Sequence, residues 1–311
     1  MTVSILFRIG ARGSPLSRAQ VARMTALMAA RFNIDAACIA FVPIVTSGDR
    51  IQDRPLADAG GKGLFTKELD EALRDRRIDL AVHSMKDVPT ILPDDIALAA
   101  VPEREDPRDA FVSFRARSLA ELPQGARLGT ASVRRQAQAL HARSDLTIEM
   151  LRGNVETRLR KIEDGVVDAT FLALAGLKRL GLERHATSLV DPELMPPAAG
   201  QGALAITARV ADAPRFAALS DARALLETSA ERAFLAALDG SCRTPIAALA
   251  RYESGALSFI GEALTANGAR RWRREARAPL ALEDVAQAAE LGARLGRDIA
   301  AEAGDALDRT P

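Results

Sequence analysis

The 311-residue chain has little of what several common kinds of site are built from. Aromatic side chains make up 4%, with one Trp and one Tyr, and the formal net charge is +1. A nucleic-acid binder needs stacking platforms and a basic surface, so that class is excluded as a partner. Only two cysteines occur, Cys38 and Cys242, far apart and without metal-ligand spacing. Neither a disulfide framework nor a metal centre is expected from them. Of the three histidines, His83 falls at the end of a predicted strand and reads as structural. Long apolar runs are missing too. The run over 3–7 is broken by Arg8 and is too short for a signal peptide, and no later run approaches a membrane span. A cytoplasmic protein with no membrane partner is therefore expected. Lysine is scarce as well: Lys62, Lys67, Lys86, Lys161 and Lys178 leave 37 arginines among the 42 cations. A GC-rich genome would account for most surface arginines, but not for arginines placed where helices begin.

With 48% hydrophobic and 27% charged residues, the chain is long enough for two or three domains, each with its own core. Periodicity predicts strands over 5–9, 39–45, 78–83 and 96–101 and helices after Ser14 and over 64–76. Ser14 reads as an N-cap with Pro15 at the first helical position. Residues 46–63, rich in Gly, Asp and Arg, read as a mobile surface loop. A second block repeats the alternation, with strands over 111–112, 127–129, 146–151 and 169–174 and helices over 132–142 and 155–163, the latter capped by Asn154. Such alternation predicts parallel sheets with right-handed crossovers. The segments 102–107 and 196–202 read as crossings, the second leading to a strand over 203–208. The last part changes character: a helix over 222–238, strands over 246–252, 256–264 and 271–276 with a type I′ turn at Asn267-Gly268, and a helix over 282–302. The expected division is 1–102 with 200–220 as one α/β domain, 103–199 as a second, and 221–311 as a small α+β domain.

Candidate site residues cluster just after predicted strands. They are Arg12 and Ser14, then Ser84, Lys86 and Asp87, then Ser132, Arg134 and Arg135, and then Arg152 and Arg158. In open α/β sheets ligands bind beyond the carboxyl ends of strands. Arg134 and Arg135 also sit in the first turn of a helix, where cations oppose the helix dipole by roughly 0.3–1 kcal/mol each. An anion between them would remove that conflict. Any one arginine is more often simply solvated, so the weight lies in the set. Gly60-Gly61-Lys62-Gly63 has neither the Rossmann nor the P-loop spacing. The residues alone point to an α/β anion-binding protein.

Several ordered segments carry more. They are Gly60-Gly61-Lys62-Gly63-Leu64-Phe65, His83-Ser84-Met85-Lys86-Asp87-Val88-Pro89, the run from Glu103 to Phe111, Leu151-Arg152-Gly153-Asn154-Val155, the run from Ala175 to Gly181, Gly200-Gln201-Gly202, and Glu231-Arg232 through Gly240-Ser241-Cys242-Arg243-Thr244-Pro245. Over nearly the whole chain these resemble the porphobilinogen deaminase family. The resemblance implies two lobes like those of periplasmic binding proteins (type II) and a small C-terminal α+β domain with a three-stranded antiparallel sheet. It implies a monomer carrying a dipyrromethane cofactor joined by a thioether to Cys242. It also implies the substrate porphobilinogen, four molecules of which condense with loss of ammonia before the linear tetrapyrrole is released by water. Asp87 matches the catalytic aspartate. Arg12, Ser14, Ser84, Lys86, Ser132, Arg134, Arg135, Arg152, Arg158 and Gln201 match cofactor- or substrate-binding positions, with Lys62 and Phe65 bordering a covering loop. Two departures stand out: Ser47 replaces an arginine of a Thr-Arg-Gly-Asp run, and Ala131 replaces the first of two serines. The rival reading is a solute-binding module of the same two-lobed class without catalysis. It leaves Asp87 and the C-terminal domain without a purpose.

Overall fold

In the computed structural model the described residues are 4–50, 63–238 and 244–307, and they divide into two compact units, Met1–Glu105 with Ala203–Leu225 and Asp106–Gly202 with Leu226–Pro311. The first unit is built from β1 (Phe7–Arg12), α1 (Pro15–Phe32), β2 (Ile39–Ile44), α2 (Ser47–Arg50), α3 (Lys67–Arg74), β3 (Leu80–Ser84), β4 (Ile96–Ala100) and, after the excursion into the second unit, β10 (Leu204–Arg209). Ser14 caps α1, accepting from the Ser17 amide, with Pro15 following as the sequence predicts. Strand alternation gives the sheet two apolar faces. Ile9, Ala11, Leu80 and Val82 pack with Val21, Met24 and Met28 of α1. Ala81 and Ile44 pack instead with Leu69, Ala72 and Leu73 of α3. Burying each of the larger side chains contributes about 1.5–3 kcal/mol.

The sheet order is β2-β1-β3-β10-β4. Strands β1, β2 and β3 are parallel, but β10 runs antiparallel to both β3 and β4. The expectation of purely parallel sheets is therefore corrected. A strand re-entering after a long excursion is not bound to a right-handed crossover and can be inserted either way.

The second unit repeats this connectivity. Its strands are β5 (Asp109–Ser113), β6 (Arg127–Gly129), β7 (Thr147–Glu149), β8 (Ala169–Ala173) and β9 (Ser188–Leu189), in the order β7-β6-β8-β5-β9 with β5 antiparallel to β8 and β9. Helices α4 (Val133–Ala142), α5 (Val155–Glu163) and α6 (Leu174–Arg179) connect them. Phe111 and Phe171 face one core with Leu128 and Ala139, while Ala110, Val112 and Leu172 face another with Leu159 and Ile162. Each of the two sheets thus inserts one antiparallel strand, β10 in the first and β5 in the second, between its parallel strands and the strand at its far edge.

The same unit holds α7 (Ala222–Ala237) from Leu226 onward, β11 (Ile246–Glu253), β12 (Ala256–Leu264), β13 (Arg271–Pro279) and α8 (Val285–Ala303). The three strands form an antiparallel sheet in the order β11-β12-β13. Leu257, Phe259 and Trp272 pack with Phe234 of α7 and Leu295 and Ile299 of α8. Along the edge strand β11 every second amide is occupied from outside the sheet. Ala248 donates to Pro197 O (3.0 Å), Ala250 to Glu231 Oε1 (2.8 Å) and Tyr252 to Glu227 Oε1 (2.9 Å). Such cover removes an edge that would otherwise recruit another strand. The turn between β12 and β13 differs from the expected type I′. Only Gly268 has positive φ (+70°), and Asn267 instead uses its side-chain oxygen to accept from Thr265 Oγ1 and the Ala269 amide.

Candidate anion-binding and catalytic site

Two groups of predicted residues are assembled, one within each unit. In the first unit Arg12 ends β1, Ser14 caps α1, and Ser84 ends β3. The chain then makes a single 3-10 turn over Met85–Asp87. The short turn, with Met85 buried and Lys86 exposed, leaves the Asp87 carboxyl half-buried beside a small cleft that Arg12, Gln20, Phe65 and Ser84 also line. Among the described residues the Asp87 carboxylate has neither a hydrogen-bond nor an ion-pair partner. Ser84 accepts from Gln20 Nε2 (2.8 Å), and Ser14 Oγ lies 3.0 Å from Ser17 Oγ. Phe65 lies flat under Arg12, its ring centre 4.2 Å from Cζ. His83 is buried, with Nε2 2.9 Å from Thr207 Oγ1, and burial pulls its pKa down to about 4. It is therefore neutral and structural, as its position in the sequence indicates.

In the second unit Ser132 caps α4 by accepting from the Arg135 amide, and Asn154 caps α5 by accepting from the Thr157 amide (2.8 Å). Arg152 and Arg158 flank that second cap, both half-buried. Gly153 has φ +118°, and a Cβ there would stand 2.7 Å from Thr157, so only glycine allows the turn between the two arginines. Arg158 Nε donates to Gly153 O (2.9 Å). Burial, then the like charges of Arg135 and Arg152, lower the Arg158 pKa to about 10. A guanidinium pressed this way by its neighbours marks a surplus of positive charge that an anionic ligand would relieve.

Arg134 and Arg135 do have an anion between them, and it belongs to the chain. Asp109, 1% exposed, accepts from Arg134 Nη2 on one oxygen (2.9 Å) and from Arg135 Nη2 on the other (2.7 Å). Arg134 Nη1 also donates to Gln138 Oε1 and Pro196 O, and Arg135 Nη1 to Phe171 O. Gln201, equally buried, donates to Pro107 O (2.7 Å) and to Asp109 Oδ1 (2.9 Å). Burial alone would raise the Asp109 pKa, but the two guanidiniums outweigh it and hold the carboxyl well below the usual range. The anion expected between the two arginines is thus Asp109 of the chain itself, and the conflict with the dipole of α4 is settled internally. The Nε atoms of Arg134 and Arg135 stay buried without a hydrogen-bond partner.

Sequence reasoning missed Asp109, Asp49 and Gln20. Asp109 had a signal: an acid opening an otherwise apolar strand, Asp-Ala-Phe-Val, calls for a buried cation. Lys62 and Cys242 lie outside the described residues. The described residues contain no cluster of His, Cys, Asp or Glu able to hold a metal, and no helix among them is long and apolar enough to cross a membrane.

Residues 7–216 match the family described as porphobilinogen deaminase, dipyromethane cofactor binding domain, and residues 225–301 match the porphobilinogen deaminase C-terminal domain. The chain is 54% identical over 311 residues to the porphobilinogen deaminase of Caulobacter vibrioides (strain NA1000 / CB15N), covering 96% of this chain and 97% of that one. It is 56% identical over 309 residues to that of Caulobacter sp. (strain K31), with the same coverage. Among solved structures, a nutrient binding protein from Burkholderia cenocepacia bound to methionine is 15% identical with a TM-score of 0.42, over 68% of this chain and 87% of that one.

Proposed function

Because the chain belongs to the porphobilinogen deaminase family and is a hydroxymethylbilane synthase working on a dipyrromethane cofactor, we propose how its own residues divide that reaction. The enzyme joins four porphobilinogen molecules head to tail, each losing ammonia, and releases the linear tetrapyrrole by hydrolysis. Asp87 is the catalytic acid-base group. Its unpartnered, half-buried carboxylate beside Arg12 and Ser84 is the observation that carries this reading. When the aminomethyl nitrogen of porphobilinogen leaves as ammonia, the ring carries a positive charge. A carboxylate held at the pyrrole N–H offsets that charge and accepts the proton lost after the carbon–carbon bond forms.

The residues present fit the cofactor. Each of its pyrroles carries two carboxylates, and Arg152 and Arg158, half-buried around the cap of α5, have the charge to receive them. Arg152, Arg158 and Ser132 hold these carboxylates, and Cys242 is the attachment point. The dipyrromethane supplies the free pyrrole carbon from which the chain grows. Arg12, Ser14 and Lys86 hold carboxylates of the incoming substrate, with Phe65 under the Arg12 guanidinium. Arg134, Arg135 and Gln201 act through Asp109, which all three hold. The chain works as a cytoplasmic monomer.

Intact mass and turnover test this together. Wild type made in cells that produce porphobilinogen carries the mass of one covalent dipyrrole, and Cys242→Ser does not. Asp87→Asn carries the adduct and melts like wild type, but its turnover falls by about 100-fold or more, the scale of a lost general acid-base group. An adduct on Cys242→Ser removes the attachment role, and near-normal turnover of Asp87→Asn removes the catalytic one.

A further inference from the structure

The guanidinium of Arg12 is held on two sides. Along one edge, Asp49 Oδ1 accepts from Nε (2.9 Å) and also from Nη2. Below, the Phe65 ring lies 4.2 Å from Cζ. Nη1, on the opposite edge, has no partner among the described residues. Asp49 is itself fixed: its other oxygen accepts from Thr46 Oγ1 (2.7 Å) and the Thr46 amide (3.2 Å), and Thr46 is 0% exposed. The short helix α2 that carries Asp49 is tied down at its neighbours. Glu68 Oε1 accepts from the Ser47 amide (2.8 Å) and Oγ (2.5 Å). Gly48 lies so close to Phe65 that a Cβ would stand 2.2 Å from the ring.

We propose that Asp49 is a positioning residue for Arg12, gripping one edge of the guanidinium so that the other edge is presented ready-oriented to a carboxylate of the incoming pyrrole. This rests on the reading of Arg12 as a substrate-binding residue. A planar fork with five donors serves two carboxylates at once, one on each edge. An arginine left to itself has several free torsions to freeze on binding, and a clamp that freezes them beforehand improves affinity without a new contact to the ligand. The clamp stays charged through the neutral range. Burial pushes the Asp49 carboxyl up, but the hydrogen bonds from Arg12 and Thr46 outweigh it and hold it below the ordinary value.

A mere loop fastener would predict a different result, and a double-mutant cycle on the holoenzyme separates the two. Steady-state kinetics with porphobilinogen are measured for wild type, Asp49→Asn, Arg12→Gln and the double variant, alongside their melting temperatures. Asp49→Asn keeps the shape and is expected to raise KM about tenfold, the loss of one charge-assisted contact, with kcat within about twofold. In the Arg12→Gln background the same change should move KM by less than about twofold, because Asp49 then has nothing to orient. Thr46→Val, which removes the hydroxyl bond to Asp49 and keeps the amide one, should raise KM in the same direction by a smaller factor. If Asp49→Asn leaves KM unchanged while Arg12→Gln raises it, or if the two effects multiply, the positioning role is wrong and the reading of Arg12 stands. If Arg12→Gln leaves KM unchanged, the reading of Arg12 fails and the proposal falls with it.

Discussion

Single arginines in this chain divide by what faces them. Arg134 and Arg135 face Asp109 in the interior, whereas Arg158 faces two like charges. Asp109→Asn would strand two buried guanidiniums and should destabilise the protein by about 3–5 kcal/mol, seen in chemical denaturation. Arg158→Gln should leave the melting temperature equal or higher while lowering cofactor loading or turnover. A wild-type stability for the first, or a loss of stability with normal turnover for the second, would reverse these assignments. His83 adds a pH dependence. Its folded pKa is depressed to about 4, so between the ordinary value near 6.5 and that point the unfolded chain binds the extra proton. This contribution is therefore complete above about pH 6.5 and declines by about 3 kcal/mol as pH falls toward 4. His83→Gln should flatten the melting profile over that window, and an unchanged slope would assign the acid sensitivity elsewhere. The sequence shows the difference between these groups only in part. Arg134 and Arg158 look alike as residues after strands, and it takes the fold to bring Asp109 to one of them and not to the other.

At the scale of elements, α7 is more than a spacer before the segment that contains Cys242. Glu231, 0% exposed, accepts at once from the Ala250 amide of β11 and from the Gly200 amide (2.7 Å), beside the Gln201 that steadies Asp109. Glu231→Ala leaves two buried donors without an acceptor, at about 1–3 kcal/mol each. The expected outcome is lower stability, with faster hydrogen exchange at Ala250 and Gly200 ahead of the rest of β11. Uniform exchange across that strand would show that the carboxylate is not its anchor. Helices were the more legible elements. Ser14-Pro15 and Asn154 announce α1 and α5 because capping is a local property. The two-residue strand β9 and the six-residue helix α6 carry too few residues for any period to register. The Asn267-Gly268 turn departs from type I′ because a longer loop, closed by the Asn267 side chain, meets the same sequence rule with one positive φ instead of two.

For the whole molecule, alternation of strands and helices reveals the α/β class, and the order of matched segments reveals the family. The direction of β5 and β10 could not be read, because strand polarity in a sheet is set by contacts far apart in sequence. The order β2-β1-β3-β10-β4 has a consequence for how the chain is made. β4 meets no strand of its sheet except β10, and β5 to β9 are synthesised between the two. On the ribosome, residues 96–100 must therefore wait for residues 204–209, a delay of roughly 5–20 s at ordinary elongation rates. The second lobe's sheet, whose strands are consecutive, can close during that interval. The nascent first lobe meanwhile displays two open strand margins, β3 and β4, each a template for mispairing until β10 emerges to fill the gap between them.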